Sequence, residues 1–79
     1  MKLIKLNGRY NLYHKGYRFA FRFNGWTAQA TDVERAVKKL EGYHYDSIFW
    51  SKTYSSNGTR PFYVGVRNES TATMVSLML

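Results

Sequence analysis

The stretch GYRFAFRFNG at residues 16–25 constrains the fold more than any other part of the chain. Aromatic residues alternate in it with polar or small ones, which is the period of a β-strand with two different faces. Clustered aromatic side chains on one parity are usually buried. We therefore predict that the guanidinium groups of Arg18 and Arg22 project from an uncovered face, and that the opposite face joins the core. The predicted core rings are Phe19, Phe21 and Phe23, and Tyr17 has the same parity.

One helix is predicted after this strand, over residues 32–41. Apolar residues recur there from Val33 to Leu40 at the helical spacings of three, four and seven. Thr31 and Glu34 have the spacing of a capping box, in which each side chain bonds to the other residue's backbone amide. Gly42 suits the position just beyond the C-terminal end. A helix this short needs tertiary packing, so its apolar stripe is expected to lie on the sheet.

The remaining residues have the pattern of strands and turns, with Asn-Gly pairs as turn signals. Phe62, Val64 and Val66 share one parity and are expected to join the core rings. The order β-β-β-α-β-β-β predicts an α+β fold: a single antiparallel β-sheet of five to six strands with one short α-helix packed on one face. We predict that residues 1–79 form a single domain. The predicted strands cover residues 2–6, 9–14, 17–23, 47–54, 62–67 and 74–79.

The charge of the chain is strongly positive and unevenly distributed. Twelve Lys and Arg stand against five Asp and Glu, for a formal net charge of +7. Residues 1–31 contain no acidic residue, and a segregated positive charge is typical of a polyanion-binding protein. The absence of cysteine excludes disulfides and thiolate metal sites. We find neither a signal peptide nor an apolar stretch long enough to span a membrane, so we expect a cytoplasmic protein without membrane contact.

The predicted function is nucleic-acid binding, with RNA as the preferred partner and DNA as the alternative. Cationic side chains would neutralise phosphates, and exposed aromatic rings would stack on unpaired bases, which favours single strands. Three aromatic residues are candidates for stacking: Tyr13, Trp26 and Tyr54. The predicted phosphate-binding residues are Arg18 and Arg22 first, then Lys15, Arg9, Lys5 and Lys52, with Arg35, Lys38 and Lys39 as a competing patch on the helix.

No catalytic site is predicted, and no cofactor or metal. His14 and His44 could serve as the acid–base pair of a metal-independent ribonuclease, with Glu41 and Arg60 in supporting roles. The two histidines lie in different predicted elements, however, and no His, Asp and Glu cluster has metal-ligand spacing. We therefore predict a binding protein rather than an enzyme.

The C-terminal residues 74–79, MVSLML, are apolar on both parities. An exposed apolar edge strand is a liability unless another strand pairs with it. We therefore predict a homodimer through this segment, with a central strand of the sheet as the simpler alternative. A third possibility is that the strand pairs with a host protein, which would make the chain a protein–protein inhibitor. The predicted interface residues are Met74, Val75, Leu77 and Leu79.

Two resemblances bear on function. The segments YRFAFRFNGW and TDVERAVKKL resemble AP2-type and integrase-arm DNA-binding sheets, which implies that Arg18, Arg22 and Trp26 approach a DNA duplex. The opening MKLIKLNG and the cysteine-free composition rich in Lys, Asn and Tyr resemble those of small accessory proteins of T-even-like phages. In size and charge the chain resembles, among these, the RNA-binding inhibitors of the ToxN ribonuclease toxin. This implies a phage-encoded protein that self-associates and inhibits a host toxin–antitoxin or other defence system in an RNA-dependent complex.

Overall fold

The computed structural model describes residues 2–42, 47–52 and 58–78. These residues form an α+β fold with one open antiparallel sheet of four strands and three helices. The fold class is therefore confirmed, whereas the predicted five to six strands and single helix are not. The strands lie in the order β1-β2-β4-β3. The elements are β1 (Lys2–Lys5), α1 (Asn11–His14), β2 (Phe19–Phe23), α2 (Ala28–Glu41), β3 (Ile48–Trp50), β4 (Phe62–Val66) and α3 (Glu69–Met78).

The main core lies between the sheet and helices α2 and α3. Phe21 and Phe23 of β2 are buried beside Val64 and Phe62 of the neighbouring strand β4. Val33 of α2 and Val75 of α3 pack against them from above the sheet. The prediction that the Phe rings of residues 19–23 form scaffold rather than an exposed surface is confirmed.

Helix α2 begins four residues earlier than predicted. Thr27 is its N-cap, and its hydroxyl oxygen accepts a hydrogen bond from the amide of Ala30 at 3.2 Å. The predicted capping box at Thr31 is wrong, because residues 28–30 (Ala-Gln-Ala) are good helix formers and extend the first turn. The predicted end is confirmed: the Gly42 amide donates to the Lys38 carbonyl, and Gly42 has the positive φ of 85° that glycine tolerates.

Tyr17 does not share a face with the three Phe rings of β2. The amide of Arg18 donates to the carbonyl of Val66, although Val66 is also the register partner of Phe19. Arg18 and Phe19 thus both stand opposite Val66, as in a β-bulge. The extra residue reverses which sheet face the residues before it point to. The buried ring of Tyr17 therefore lies on the sheet face away from α2 and α3.

That second face is partly covered, contrary to prediction. Residues 9–14, predicted as a strand, instead contain the short helix α1, whose Leu12 is buried against Leu6, Tyr17 and Ala20. Burial of Leu12 in this cluster, rather than pairing along a sheet edge, decides the local structure. The half of the face near Ala20 is covered as a result, and the half that carries Arg22 is not.

The predicted C-terminal strand is also wrong. Residues 69–78 form helix α3, whose buried residues Thr71, Ala72 and Val75 have helical spacing. The carboxylate of Glu41, at the end of α2, accepts hydrogen bonds from the amides of Arg67 and Asn68 just before α3 begins. Val75 belongs to the core and cannot serve as an interface residue, whereas Met74 and Leu77 are exposed. Leu79 lies outside the described residues.

The other predicted strands fare better. Residues 62–66 are a strand with Phe62, Val64 and Val66 buried, as expected, and β1 lies within the predicted 2–6. Of the predicted strand at 47–54, residues 48–50 are extended, and Tyr54 lies outside the described residues. No helix within the described part of the chain is long and apolar enough to cross a membrane.

Candidate nucleic-acid interface

Two exposed tryptophans meet at one end of the sheet. The register pairs Phe23 with Phe62 and Phe62 with Trp50, so the end of β2, the start of β4 and the end of β3 lie side by side. Trp26 lies just after the end of β2, and Trp50 is the last residue of β3. Their exposed fractions are 46% and 39%. Indole rings this large are usually more deeply buried in a folded domain, so the pair is a candidate contact surface.

The two indoles rest on one buried ring. The centroid of Phe62 lies 5.0 Å from that of Trp26 and 4.6 Å from that of Trp50, with interplanar angles of 20° and 34°. Phe23 stacks on the same ring at 5.2 Å. The tryptophan platform, defined as Trp26, Trp50 and Phe62, is therefore anchored in the main core while much of its indole surface faces solvent.

A hydrogen bond fixes the orientation of Trp26. Its indole Nε1 donates to the hydroxyl of Thr31 at 2.9 Å, one turn into helix α2. Thr31 thus holds the indole in place rather than capping the helix. The two indole centroids are 6.4 Å apart and their planes are inclined by only 24°. An orientation already fixed in the free protein reduces the entropy cost when a flat ligand stacks on it.

An arginine lies beside the platform. The guanidinium carbon of Arg60 is 5.6 Å from the ring centroid of Trp50, within the range of a cation–π contact. Its Nε donates to the carbonyl of Ser51 at 2.6 Å, which ties the side chain to the end of β3. Lys52 is exposed in the same segment. Cations placed beside aromatic rings are the usual combination for a ligand with flat rings and phosphates.

The charge distribution favours an anionic ligand at this end of the sheet. All described acidic residues lie on helices α2 and α3, and so the described parts of the strands and their connections carry none. Lys2 pairs with Arg22 in the register, one position from Phe23. Together with Lys52 and Arg60, they form a group of four cations, which we call the open-end cations. Lys2 and Arg22 face the side away from α2 and α3, so a bound strand would have to pass around the end of the sheet.

Arg18 and Arg22, the two leading predicted residues, have different surroundings. The guanidinium of Arg18 lies 4.3 Å from the ring centroid of Tyr13 and donates to the carbonyls of Tyr13 and Tyr17. Its local role is to hold the α1 segment on the sheet. Arg22 is half-buried between Lys2 and Tyr63 on the open half of the face. Arg22 therefore remains a phosphate-binding candidate, and the exposed Arg18 also makes local structural contacts.

The other predicted cations do not form one surface. Four of them are exposed: Lys5, Arg9, Lys15 and Lys52. Of these, only Lys52 lies at the end of the sheet that carries the tryptophan platform. The competing helix patch is divided: Lys38 forms an ion pair with Glu34 at 2.6 Å, whereas Arg35 and Lys39 flank the groove between α2 and α3.

Of the two stacking candidates that the structure describes, only Trp26 occupies a site suited to stacking. Tyr13 is half-buried with Arg18 over its ring, and Tyr54 lies outside the described residues. The sequence prediction missed Trp50 and Arg60 as members of this site. Their spacing along the chain gives no sign of contact, and only the β2–β4 and β3–β4 registers together bring them to the end of the sheet where Trp26 lies.

The structure describes only one of the two histidines considered for an acid–base pair. The Nε2 of His14 lies 2.7 Å from the carbonyl oxygen of Gly8, and His44 lies outside the described residues. No group of three potential metal ligands is found in the parts of the chain that the structure describes. The pairing of the two histidines stays a prediction.

Comparison with known proteins gives no independent guide to this site. No family model matches the chain, and no curated protein or solved structure is significantly similar to it. The function must therefore be inferred from the geometry and charge of the site.

Proposed function

We propose that this protein binds single-stranded RNA without catalysis, through the tryptophan platform and the open-end cations. The observation that carries the proposal is the pair of half-exposed indoles on Phe62 with a guanidinium beside one of them. Unpaired bases would stack on Trp26 and Trp50, each stack contributing ~1–3 kcal/mol. The open-end cations would hold the flanking phosphates and release counterions.

Exposed indole faces favour single strands over duplexes. In a duplex the base faces are already stacked on each other, so a flat aromatic surface gains little unless the bases unstack. Stacking and phosphate contacts suit both RNA and single-stranded DNA. The preference for RNA follows from the resemblance to phage RNA-binding proteins. Comparing the affinity for an RNA strand with that for a DNA strand of the same length tests it.

The experiment measures binding by fluorescence anisotropy of a labelled 12-nucleotide oligo(rU), an oligo(dT) of the same length and a duplex. Protein freed of co-purified nucleic acid is titrated at about 50 mM salt, where phosphate contacts are strong. Quenching of intrinsic tryptophan fluorescence serves as a second readout, because Trp26 and Trp50 are the only tryptophans in the chain. We expect oligo(rU) to bind most tightly, the duplex least tightly, and quenching to accompany binding.

Two single variants test the stacking surface. Trp26→Ala and Trp50→Ala should each weaken oligo(rU) binding about 10- to 100-fold, which corresponds to ~1.4–2.8 kcal/mol. Circular dichroism establishes that each variant is folded. Unchanged affinity in both folded variants would contradict the proposal, and tighter binding of duplex DNA would favour the DNA-binding alternative instead.

A charge-matched pair tests the cationic part. Arg60 and Arg35 are both exposed arginines, but only Arg60 lies at the platform. Arg60→Ala should weaken oligo(rU) binding several-fold more than Arg35→Ala, although both variants lose one positive charge. Equal losses would mean that binding depends on total charge rather than on this site.

The biological role that we propose rests on the phage resemblance alone. Bound to RNA, the protein would inhibit a host ribonuclease toxin or another defence system. The wild-type protein would then restore growth to bacteria expressing such a toxin, and the Trp26→Ala variant would not. Equal rescue by both would separate toxin inhibition from RNA binding and favour direct protein–protein inhibition.

A further inference from the structure

A row of four side chains crosses the open half of the second face of the sheet. Lys2 pairs with Arg22, Arg22 with Tyr63, and Tyr63 with Phe49, so the row includes one residue from each strand. Register partners in antiparallel strands point to the same face, which places two cations beside two aromatic rings. We call these four residues the second-face row.

A cavity of about 140 Å³ lies between this row and the α1 segment. The ring of Tyr63 lies at its centre, 6.3 Å from the centroid of Tyr10 in an edge-on contact and 6.2 Å from the centroid of Phe49. We call this cavity the tyrosine pocket. The described residues that line it are Arg9, Tyr10, Asn11, Leu12, Phe49 and Tyr63. A pocket of this size with aromatic walls suits one flat ring system rather than a stack of several.

The polar groups of the pocket and the row suit a nucleotide. Arg9 gives the lining a positive charge, and the amide of Asn11 can both donate and accept hydrogen bonds, as the edge of a base requires. Arg22 stands beside Tyr63 in the register, with Lys2 beyond it, and their cationic groups suit the oxygens of a phosphate. Aromatic walls for a base thus lie next to cations for its phosphate.

The second-face row is close to the tryptophan platform but points to the other side of the sheet. Tyr63 follows Phe62 in β4, and Phe49 precedes Trp50 in β3. Successive side chains of a strand point to opposite faces, so each of these neighbouring pairs has one ring on each side. A nucleic-acid strand that leaves the platform around the end of the sheet therefore meets this row first.

We propose that the tyrosine pocket binds one further base of the single strand held on the tryptophan platform, with the phosphate of that nucleotide on Arg22 and Lys2. This inference rests on the proposed function and adds a second base-binding site to it. A small pocket alone would hold a base weakly. Once the platform holds the same strand, however, the effective concentration of the next bases is high, and the second contact adds to the affinity.

Tyr63→Leu tests the pocket, because it removes the central ring but keeps an apolar side chain. In the anisotropy titration this variant should bind oligo(rU) about tenfold more weakly than the wild type, which corresponds to the loss of one stacked base. Quenching of tryptophan fluorescence at saturation should be unchanged, since the strand still occupies the platform. Unchanged affinity in the folded variant would overturn the inference.

Two neighbouring tyrosines give a matched pair. Tyr10 and Tyr13 are both half-buried against the cluster around Leu12, but only Tyr10 is among the residues that line the pocket. Tyr10→Leu should weaken oligo(rU) binding about three- to tenfold. Tyr13→Leu should change it less than about twofold. Equal losses in the two folded variants would mean that these rings act through the fold rather than through the pocket.

A double variant shows whether Tyr63 acts at a site of its own. Separate contacts contribute independently, so the losses of Trp26→Ala and Tyr63→Leu should multiply when the two substitutions are combined. A double variant that binds no more weakly than Trp26→Ala alone would mean that Tyr63 acts by supporting Phe62 and the platform. That result would overturn the inference and leave the proposed function intact.

A base with its phosphate could also come from a free mononucleotide, and competition separates the two sources. Uridine monophosphate at about 1 mM should displace little oligo(rU), because it lacks the link to a strand on the platform. Strong displacement at micromolar concentration, lost in Tyr63→Leu, would make a free nucleotide the occupant and contradict the inference. A wild-type protein that binds no oligo(rU) at all would overturn the inference and the proposed function together, whereas weaker binding in Trp26→Ala but not in Tyr63→Leu or Tyr10→Leu would overturn the inference alone.

Discussion

At the scale of single residues, Gly65 shows how tightly the second face of the sheet is packed. A Cβ atom at this position would lie 2.8 Å from a ring carbon of Tyr17 and 3.1 Å from the carbonyl oxygen of Ser47. Because Tyr17 is fully buried, we expect Gly65→Ala to lower the free energy of unfolding by about 1–3 kcal/mol. Urea denaturation followed by circular dichroism measures the change.

Gly8→Ala is the matched control for this prediction. Gly8 is exposed, and a Cβ atom there would meet nothing within 4 Å. Its substitution should change the free energy of unfolding by no more than about 0.5 kcal/mol. Equal destabilisation by the two variants would show that Tyr17 yields to the added methyl group, or that it packs elsewhere.

The position of Tyr17 against Gly65 also shows why the alternation of residues 17–23 predicts the sheet face of only some of these side chains. Parity is right for Phe19, Phe21 and Phe23, which lie in the regular part of β2. It fails at Tyr17, because two residues stand opposite Val66 and shift the alternation of side chains by one residue. Such a shift depends on the partner strand, and nothing in the residues of β2 alone signals it. The local role of Arg18 follows from the same irregularity.

At the scale of elements, Glu41 joins the end of α2 to the start of α3. Its carboxylate accepts from the amides of Arg67 and Asn68 at 2.9–3.1 Å. Removing the acceptor leaves two amides near the start of a helix without their partner. We expect Glu41→Ala to lower the free energy of unfolding by about 1–3 kcal/mol. Thermal or urea denaturation would show this loss.

Glu34→Ala gives the comparison. Glu34 is also on α2, but it forms a partly exposed ion pair with Lys38, and such pairs contribute only about 0–1 kcal/mol. The Glu41 variant should therefore be clearly less stable than the Glu34 variant. A reversed order would mean that the link between α2 and α3 is held by their apolar contacts alone.

The elements differ in how far the sequence predicts them. Helix α2 has one clear apolar stripe, so its existence and its end are predictable; only its start is misplaced. Residues 74–79 are apolar on both parities and fit a buried strand as well as a helix. The deciding positions are Thr71 and Ala72, which with Val75 form a buried face only in a helix. Helix α1 is decided by burial of Leu12 against Leu6, Tyr17 and Ala20, and local patterns do not encode these contacts.

At the scale of the whole molecule, the candidate site is only partly visible in the sequence. The positive charge and Trp26 by themselves indicate a ligand with phosphates and flat rings. The contribution of Trp50 and Arg60 depends on the antiparallel register of β3 and β4, which brings residues far apart in the chain to one end. Segregation of the described acidic residues onto α2 and α3, by contrast, follows from their positions in the chain once the helices are known.

The open-end cations make the salt dependence of binding a measurable property of the folded molecule. For single strands, the slope of log K against log salt is about −0.7 per phosphate neutralised, so contacts from Lys2, Arg22, Lys52 and Arg60 predict about −3. Arg60→Ala should make the slope shallower by about 0.7, and Arg35→Ala should leave it unchanged. Anisotropy titrations of oligo(rU) between about 50 and 300 mM salt give these slopes. A slope much steeper than about −3 that becomes shallower by the same amount in both variants would indicate that the whole positive surface binds diffusely. Affinity would then follow from net charge, and the tryptophan platform would lose its role as the place where the strand is held.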